Sequence, residues 1–231
     1  MTLPLVLLPG MMCDARLFGP QISALSLSRA VHVGDITGHD TMAALADAVL
    51  AAAPARFALA GLSMGGIVAM EVMARAPARV ARLALMDTNP MAEDAAVKAR
   101  RTPQIARVKA GGLSAVMRDE MKPNYLTDGP DRAAILALCM AMAMDLGPDV
   151  FVRQSIALRD RPDQCAALRR VTVPTLILCG RNDTLCPISR HQTMHALIPG
   201  SDLCIIDGAG HLPPLEQPDR TLAVLSGWLP A

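Results

Sequence analysis

The sequence predicts an α/β fold built on a doubly wound, mostly parallel sheet. Short apolar runs recur along the 231 residues, and each is followed by a turn and a helix-like segment. The runs are continuously apolar rather than alternating, as strands covered on both faces are. Strand and helix then alternate along the chain, the pattern of right-handed crossovers. At 24.4 kDa the chain is one domain, or one domain with an insertion.

In order, the apolar runs are Leu3–Leu8 (ending at Pro9-Gly10), Ala30–Val33, Phe57–Ala60, Leu83–Met86, Thr175–Cys179 and Leu203–Ile206. Between them, Asp40 or Thr41 caps a helix that runs to Ala53, before Pro54. A second helix follows Ser63 and ends near Ala76-Pro77. A third spans Ile188–Leu197, and the last runs from Asp219 to Trp228. One interval breaks the rhythm. Between Asn89 and Arg170 there is no convincing strand, only helical segments over Ala92–Val108, Leu113–Lys122, Asp131–Leu146 and Asp149–Leu158. Gly111-Gly112, Asp128-Gly129-Pro130 and Gly147-Pro148 punctuate them. The expected organisation is a core of residues 1–90 and 171–231, with residues 91–170 inserted as a helical cap.

Composition narrows the function. With 52% hydrophobic and 19% charged residues, the chain can bury enough surface to order itself. A net charge of +1 gives no electrostatic footprint for nucleic acid or an anionic membrane. Five aromatic residues are too few for base-stacking platforms, and 15 methionines must fill core that aromatics usually fill. The six cysteines show no CxxC pair and no zinc spacing, so they read as buried reduced thiols. The N-terminal apolar run has no basic flank or cleavage pattern and is too short for a span. A soluble cytoplasmic protein, monomer or homodimer, is expected.

Gly61-Leu62-Ser63-Met64-Gly65 matches G-x-S-x-G between a strand and a helix, the context this motif requires. There a tight strand-to-helix turn pushes the serine Oγ out of the sheet, and glycines remove Cβ atoms that would clash. A nucleophilic serine needs a base. His211 follows the sixth apolar run in Gly208-Ala209-Gly210-His211, so it reaches the same sheet edge as Ser63. His32 lies within a strand candidate and His39 in a loop without supporting context. The base needs an acid to fix its tautomer. Asp183, in Gly180-Arg181-Asn182-Asp183 after the fifth run, is the first choice. Its rivals are Asp87, read as a strand-end residue, and Asp207, read as part of a turn. The order Ser63, Asp183, His211 fits an elbow serine rather than the other serine-hydrolase architectures.

With these residues the chain resembles the α/β-hydrolase superfamily, in its branch of small helical-cap serine esterases and lactonases. Leu7-Leu8-Pro9-Gly10, Gly61 to Gly66, Leu85-Met86-Asp87-Thr88, Gly180 to Pro187 and Gly208 to Leu212 carry the resemblance over nearly the whole length. It implies an oxyanion hole made by the backbone N–H groups of Met64 and Met11. Family members usually carry His-Gly after the first strand, whereas this chain has Pro9-Gly10, so the support of that loop must differ. The preceding antiparallel hairpin is also missing, which predicts a sheet of about six strands.

Hydrolysis of small to medium carboxylic esters through an acyl-enzyme leads, with a small-molecule ester as partner and no metal or organic cofactor. Lactone, enol-lactone or thioester hydrolysis, acyl transfer and C–C hydrolysis use the same triad and stay open. A non-catalytic receptor or scaffold is the alternative of another class. Epoxide and haloalkane chemistry is disfavoured, because those branches carry Asp where this chain has Ser63. Met117, Met121, Met140, Met142 and Met144 are candidate pocket lining, although Met at helical spacing reads first as core. Arg100, Arg101, Arg107 and Lys109 read as a solvated helix face, with binding of a substrate carboxylate as the sharper alternative. His191 and His195 share a helix face at i, i+4, but Gln192 stands where a zinc protease carries Glu, so they too read as solvated.

Overall fold

In the computed structural model, which describes residues 2–229, six parallel strands form one sheet. They are β1 (Leu5–Leu8), β2 (Val31–Val33), β3 (Phe57–Leu62), β4 (Val80–Met86), β5 (Thr175–Gly180) and β6 (Asp202–Ile206), in the order β2-β1-β3-β4-β5-β6. The order reverses between β1 and β3, which places a switch-point crevice beyond the carboxyl ends of those two strands.

Alternation along the strands divides the core in two. Val6, Leu8, Phe57, Leu59, Leu83 and Leu85 face α2 (Met42–Ala52), α3 (Met64–Arg75) and Met194 of α8 (Ile188–Leu197). Leu5, Leu7, Ala58, Ala60, Leu62 and Leu178 face α1 (Gly19–Leu25) and α10 (Pro218–Trp228). Strands β1, β3 and β5 are buried along their whole length, as their apolar runs require.

The expected helices are present with shifted ends. Thr41 caps α2 by accepting from Ala44 N–H (3.2 Å). α4 (Ala95–Arg107) starts three residues later than expected, because Asp94 accepts from Ala96 N–H (2.8 Å) and sets the cap. From α4 a wound segment of short turns, including α5 (Leu113–Ala115), leads to Met121. The two helices expected after it are one element, α6 (Arg132–Arg159), broken at Gly147 (φ 80°, ψ 176°) before Pro148. By length and composition α6 could cross a bilayer, but the break leaves two arms, each shorter than the ~20 residues of a span. α7 (Cys165–Leu168) and α9 (Pro213–Glu216) are single turns. Helix α1 was not among the expected helices; Pro20 sits in its first turn, where proline's missing N–H costs nothing. All six cysteines are free.

At the carboxyl end of β5, a Cβ on Gly180 would fall onto the Gly210 carbonyl. The β6 exit loop can approach β5 only because that atom is absent. Gly180→Ala is expected to cost at least about 2 kcal/mol in urea unfolding. Gly129→Ala, whose added Cβ meets nothing, should shift stability by less than about 1 kcal/mol.

Candidate active site

Ser63 sits between β3 and α3 with φ 55° and ψ −117°, a left-handed backbone that costs a side-chain-bearing residue about 1–3 kcal/mol. The surroundings hold it there. Ser63 N–H donates to Met86 O (2.9 Å), and Ser63 O accepts from Thr88 Oγ1 (2.8 Å) and Ile67 N–H (3.1 Å). A Cβ on Gly61 would strike the Gly65 carbonyl, and one on Gly65 would strike the Leu8 carbonyl.

The structure brings Ser63, His211 and Asp183 into one hydrogen-bonded line. His211 Nε2 lies 2.9 Å from Ser63 Oγ, and His211 Nδ1 lies 2.7 Å from Asp183 Oδ2. Asp183 Oδ1 accepts from Leu185 N–H (2.8 Å) and Cys186 N–H (3.0 Å). Burial alone would raise the Asp183 carboxyl, but His211 and these N–H groups hold it below the usual carboxylate value.

Asp87 behaves oppositely. It is fully buried at φ 44°, and its Oδ1 accepts from Gly180 N–H (2.9 Å). Burial, then the charge of Asp183, pushes its carboxyl well above the usual range, so it favours the protonated form. The expected role in satisfying backbone holds, while the neighbouring acid that stays ionised is Asp183. Asp207 is exposed and ion-paired with Arg181.

Met64 opens α3, so its N–H is one of the first-turn donors with no intrahelical acceptor. Met11 lies buried in the loop after β1, and Pro9 leaves that loop to be braced from elsewhere. Gln154 of α6 supplies the brace: its Oε1 accepts from Met12 N–H (2.9 Å) and its Nε2 donates to Ile36 O (3.1 Å). Glu216 does the same for the histidine loop. It accepts from Gly210 N–H, Leu212 N–H and Thr127 N–H, while His211 N–H donates to Tyr125 O (2.7 Å). Neither Gln154 nor Glu216 stood out in the sequence, because a buried amide and a surface-type acid carry no local motif.

Asp183, Cys186 and His211 have donor atoms within 4.8 Å of one another, the spacing of a metal cluster. Their chemistry does not suit one. Both His211 nitrogens are engaged, and burial, with Asp183 next, pushes the Cys186 thiol well up, away from the thiolate a metal requires. Cys13 is buried, and its thiol is likewise pushed up.

Two expectations are corrected. His191 is not on a solvated face. It is fully buried, and its Nε2 accepts from Thr88 N–H (3.2 Å), leaving Nδ1 to donate to Pro187 O (3.3 Å). Its i, i+4 partner His195 is exposed and pairs with Ser201 (2.9 Å). Arg101 also leaves the solvated face to pair with buried Glu93 (2.6 Å), whereas Arg100, Arg107 and Lys109 are exposed. His32 and His39 are exposed. Of the methionines, Met117 and Met142 are fully buried and Met144 is exposed.

Residues 5–224 match the model of the Alpha/beta hydrolase family. The chain is 28% identical to a pimeloyl-[acyl-carrier protein] methyl ester esterase of Aliivibrio salmonicida, covering 97% of this chain and 91% of that protein. A thermophilic esterase from Thermogutta terrifontis, solved with malate bound, superposes with a TM-score of 0.89 at 29% identity, over 98% of this chain and 89% of its own. The enol-lactonase from Burkholderia xenovorans LB400 shares the fold, with a TM-score of 0.87 at 22% identity over 99% and 91%.

Burial, opposed by the Pro187 carbonyl, pushes His191 down to about 4, against 6.5 in the unfolded chain. Between those values the unfolded state binds the extra proton. The stability contributed by neutral His191 is therefore complete above about pH 6.5 and lost as pH falls toward 4. Urea unfolding across this window should show a loss of up to about 3 kcal/mol that His191→Gln removes.

Proposed function

The chain belongs to the alpha/beta hydrolase family, and we propose that it is a serine hydrolase of small to medium carboxylic esters, with Ser63 as nucleophile, His211 as base and Asp183 as the orienting acid. The observation that carries this reading is the unbroken line from Ser63 Oγ through both imidazole nitrogens to Asp183. Similarity over nearly full length to proteins named as esterases supports ester hydrolysis as the reaction.

In this reading His211 Nε2 takes the Ser63 proton as Oγ attacks the ester carbonyl. The carbonyl oxygen gains negative charge and is held by the Met64 and Met11 N–H groups. The imidazolium, steadied by Asp183, passes its proton to the departing alcohol oxygen. Water then gives a proton to His211 and attacks the acyl-enzyme, and collapse of the second tetrahedral intermediate frees the acid and restores Ser63. Residues 91–170 act as the cap. Tyr125 and Thr127 tie them to the His211 loop, and Gln154 and Met142 tie them to the loop after β1.

Fluorophosphonate should label the wild type and leave folded Ser63→Ala unlabelled, with p-nitrophenyl ester turnover lost in parallel; full activity in that variant would sink the assignment. Asp183→Asn should lower kcat about 10³- to 10⁴-fold. Asp87→Asn should stay within about tenfold of wild type, since an amide reproduces a neutral acid that accepts from Gly180. The opposite ranking would make Asp87 the working acid. Gln154→Met should lower kcat about tenfold, with KM nearly unchanged, if the loop it braces serves the transition state.

A further inference from the structure

Lys122 is the most unusual charge in the molecule. It follows the wound segment after α4, and only 1% of its surface is exposed. Among the described residues its Nζ has no hydrogen-bond partner. It lies 4.4 Å from the centre of the Tyr125 ring, which in turn stands edge-on to the His211 ring at 5.4 Å. The same Tyr125 accepts the His211 N–H through its carbonyl. The lysine is thus one ring removed from the imidazole that faces Ser63.

Among the described residues no carboxylate bears on its charge. Burial works against the Lys122 charge, but the neighbouring Cys13, Tyr125 and Cys139 groups hold it above the usual lysine value, so it stays an ammonium; burial pushes those three groups up in turn. The ring's attraction for the ammonium recovers only part of the cost of taking it out of water. The wider region has the same imbalance. Arg101, which acts on Tyr125 and reaches Met11 Sδ (3.9 Å), shares the single carboxylate of Glu93 with Arg161. Those three side chains are 12%, 8% and 6% exposed for Arg101, Glu93 and Arg161. The region thus holds two buried cations, Lys122 and Arg161, and the half-buried Arg101, and the one carboxylate among them, Glu93, is taken by the two arginines.

We propose that Lys122 binds a free carboxylate on the acyl part of the substrate, so that the preferred esters are half-esters of short dicarboxylic acids. The proposal rests on the ester hydrolase reading and names the substrate class of that same site. A carboxylate fits better than a phosphate. Lys122 is a single point charge, and both Arg101 Nε and Nη2 are committed to Glu93, so no fork of donors is left for a dianion. The two ring separations laid end to end limit the distance from Nζ to the imidazole, which restricts the acyl chain to a short diacid.

The test compares kcat/KM for monomethyl succinate, glutarate and adipate with that for the matching dimethyl esters. In the wild type the half-ester of best length should be preferred about 10- to 100-fold, mainly through KM, as one charge-assisted hydrogen bond allows. In Lys122→Met the ratio should fall to about one, and in Lys122→Arg part of it should survive. Removing an unpaired buried charge favours folding, so Lys122→Met should unfold at or above the wild-type temperature. No preference in the wild type, or a preference that persists in Lys122→Met, overturns the proposal. If no ester is hydrolysed and fluorophosphonate does not react, the ester reading falls, and binding decides the carboxylate site. Calorimetric binding of monomethyl glutarate to wild type but not to Lys122→Met upholds it; equal binding to both, or equal competition by inorganic phosphate, overturns it.

Discussion

Everything at the candidate site depends on how closely the elbow after β3 can press against β1. Gly65 lies where a single added carbon would meet the Leu8 carbonyl. That approach brings the start of α3, with Met64, beside the loop after β1 at the switch point of the sheet. It also holds Ser63 in a backbone conformation that a free chain would avoid. The strain is offset by hydrogen bonds to β4 and from Thr88, so the position of Ser63 is set by packing among three neighbouring strands.

Two buried aspartates stand side by side and are driven apart in character. Asp183 has His211 and two backbone donors, so it stays ionised despite burial. Asp87 has one backbone donor and a charged neighbour, so it favours its proton. Two such acids in contact cannot both ionise cheaply, and the donors decide which does. The neutral member costs less to bury while still satisfying Gly180 N–H. His191, neutral beneath Thr88, extends the same economy of charge under the site.

The sheet, most of the helices and the residues in line with Ser63 were legible because each rests on a local signal. Continuous apolar runs mark parallel strands, glycines mark the close approaches at the elbow, and Ser63, Asp183 and His211 each follow a strand. What stayed hidden depends on contacts between distant segments. Gln154 and Glu216 become braces only once α6 and α9 are packed. His191 was misread because an isolated i, i+4 pair says nothing about which helix face is buried, and α8 turns one histidine inward and the other out. Lys122 stood only as the last residue of a helical segment, and its burial comes with Tyr125 and with Cys139 of α6.

The braces have a consequence for how the molecule acquires its working form. The contact between Met12 and Gln154 joins residues 142 positions apart, that between Ser63 and His211 spans 148, and that between Thr127 and Glu216 spans 89. Contacts of such long range carry a large loop-closure cost and belong to the late stages of folding. The histidine loop is bonded to Tyr125 and the loop after β1 to Gln154, both in the segment between β4 and β5, so a chain with its sheet already formed still lacks an aligned site. Recovery of activity on refolding therefore lags the return of secondary structure, and the inserted helices cannot be exchanged as an independent lid without rebuilding the anchors they give to the core.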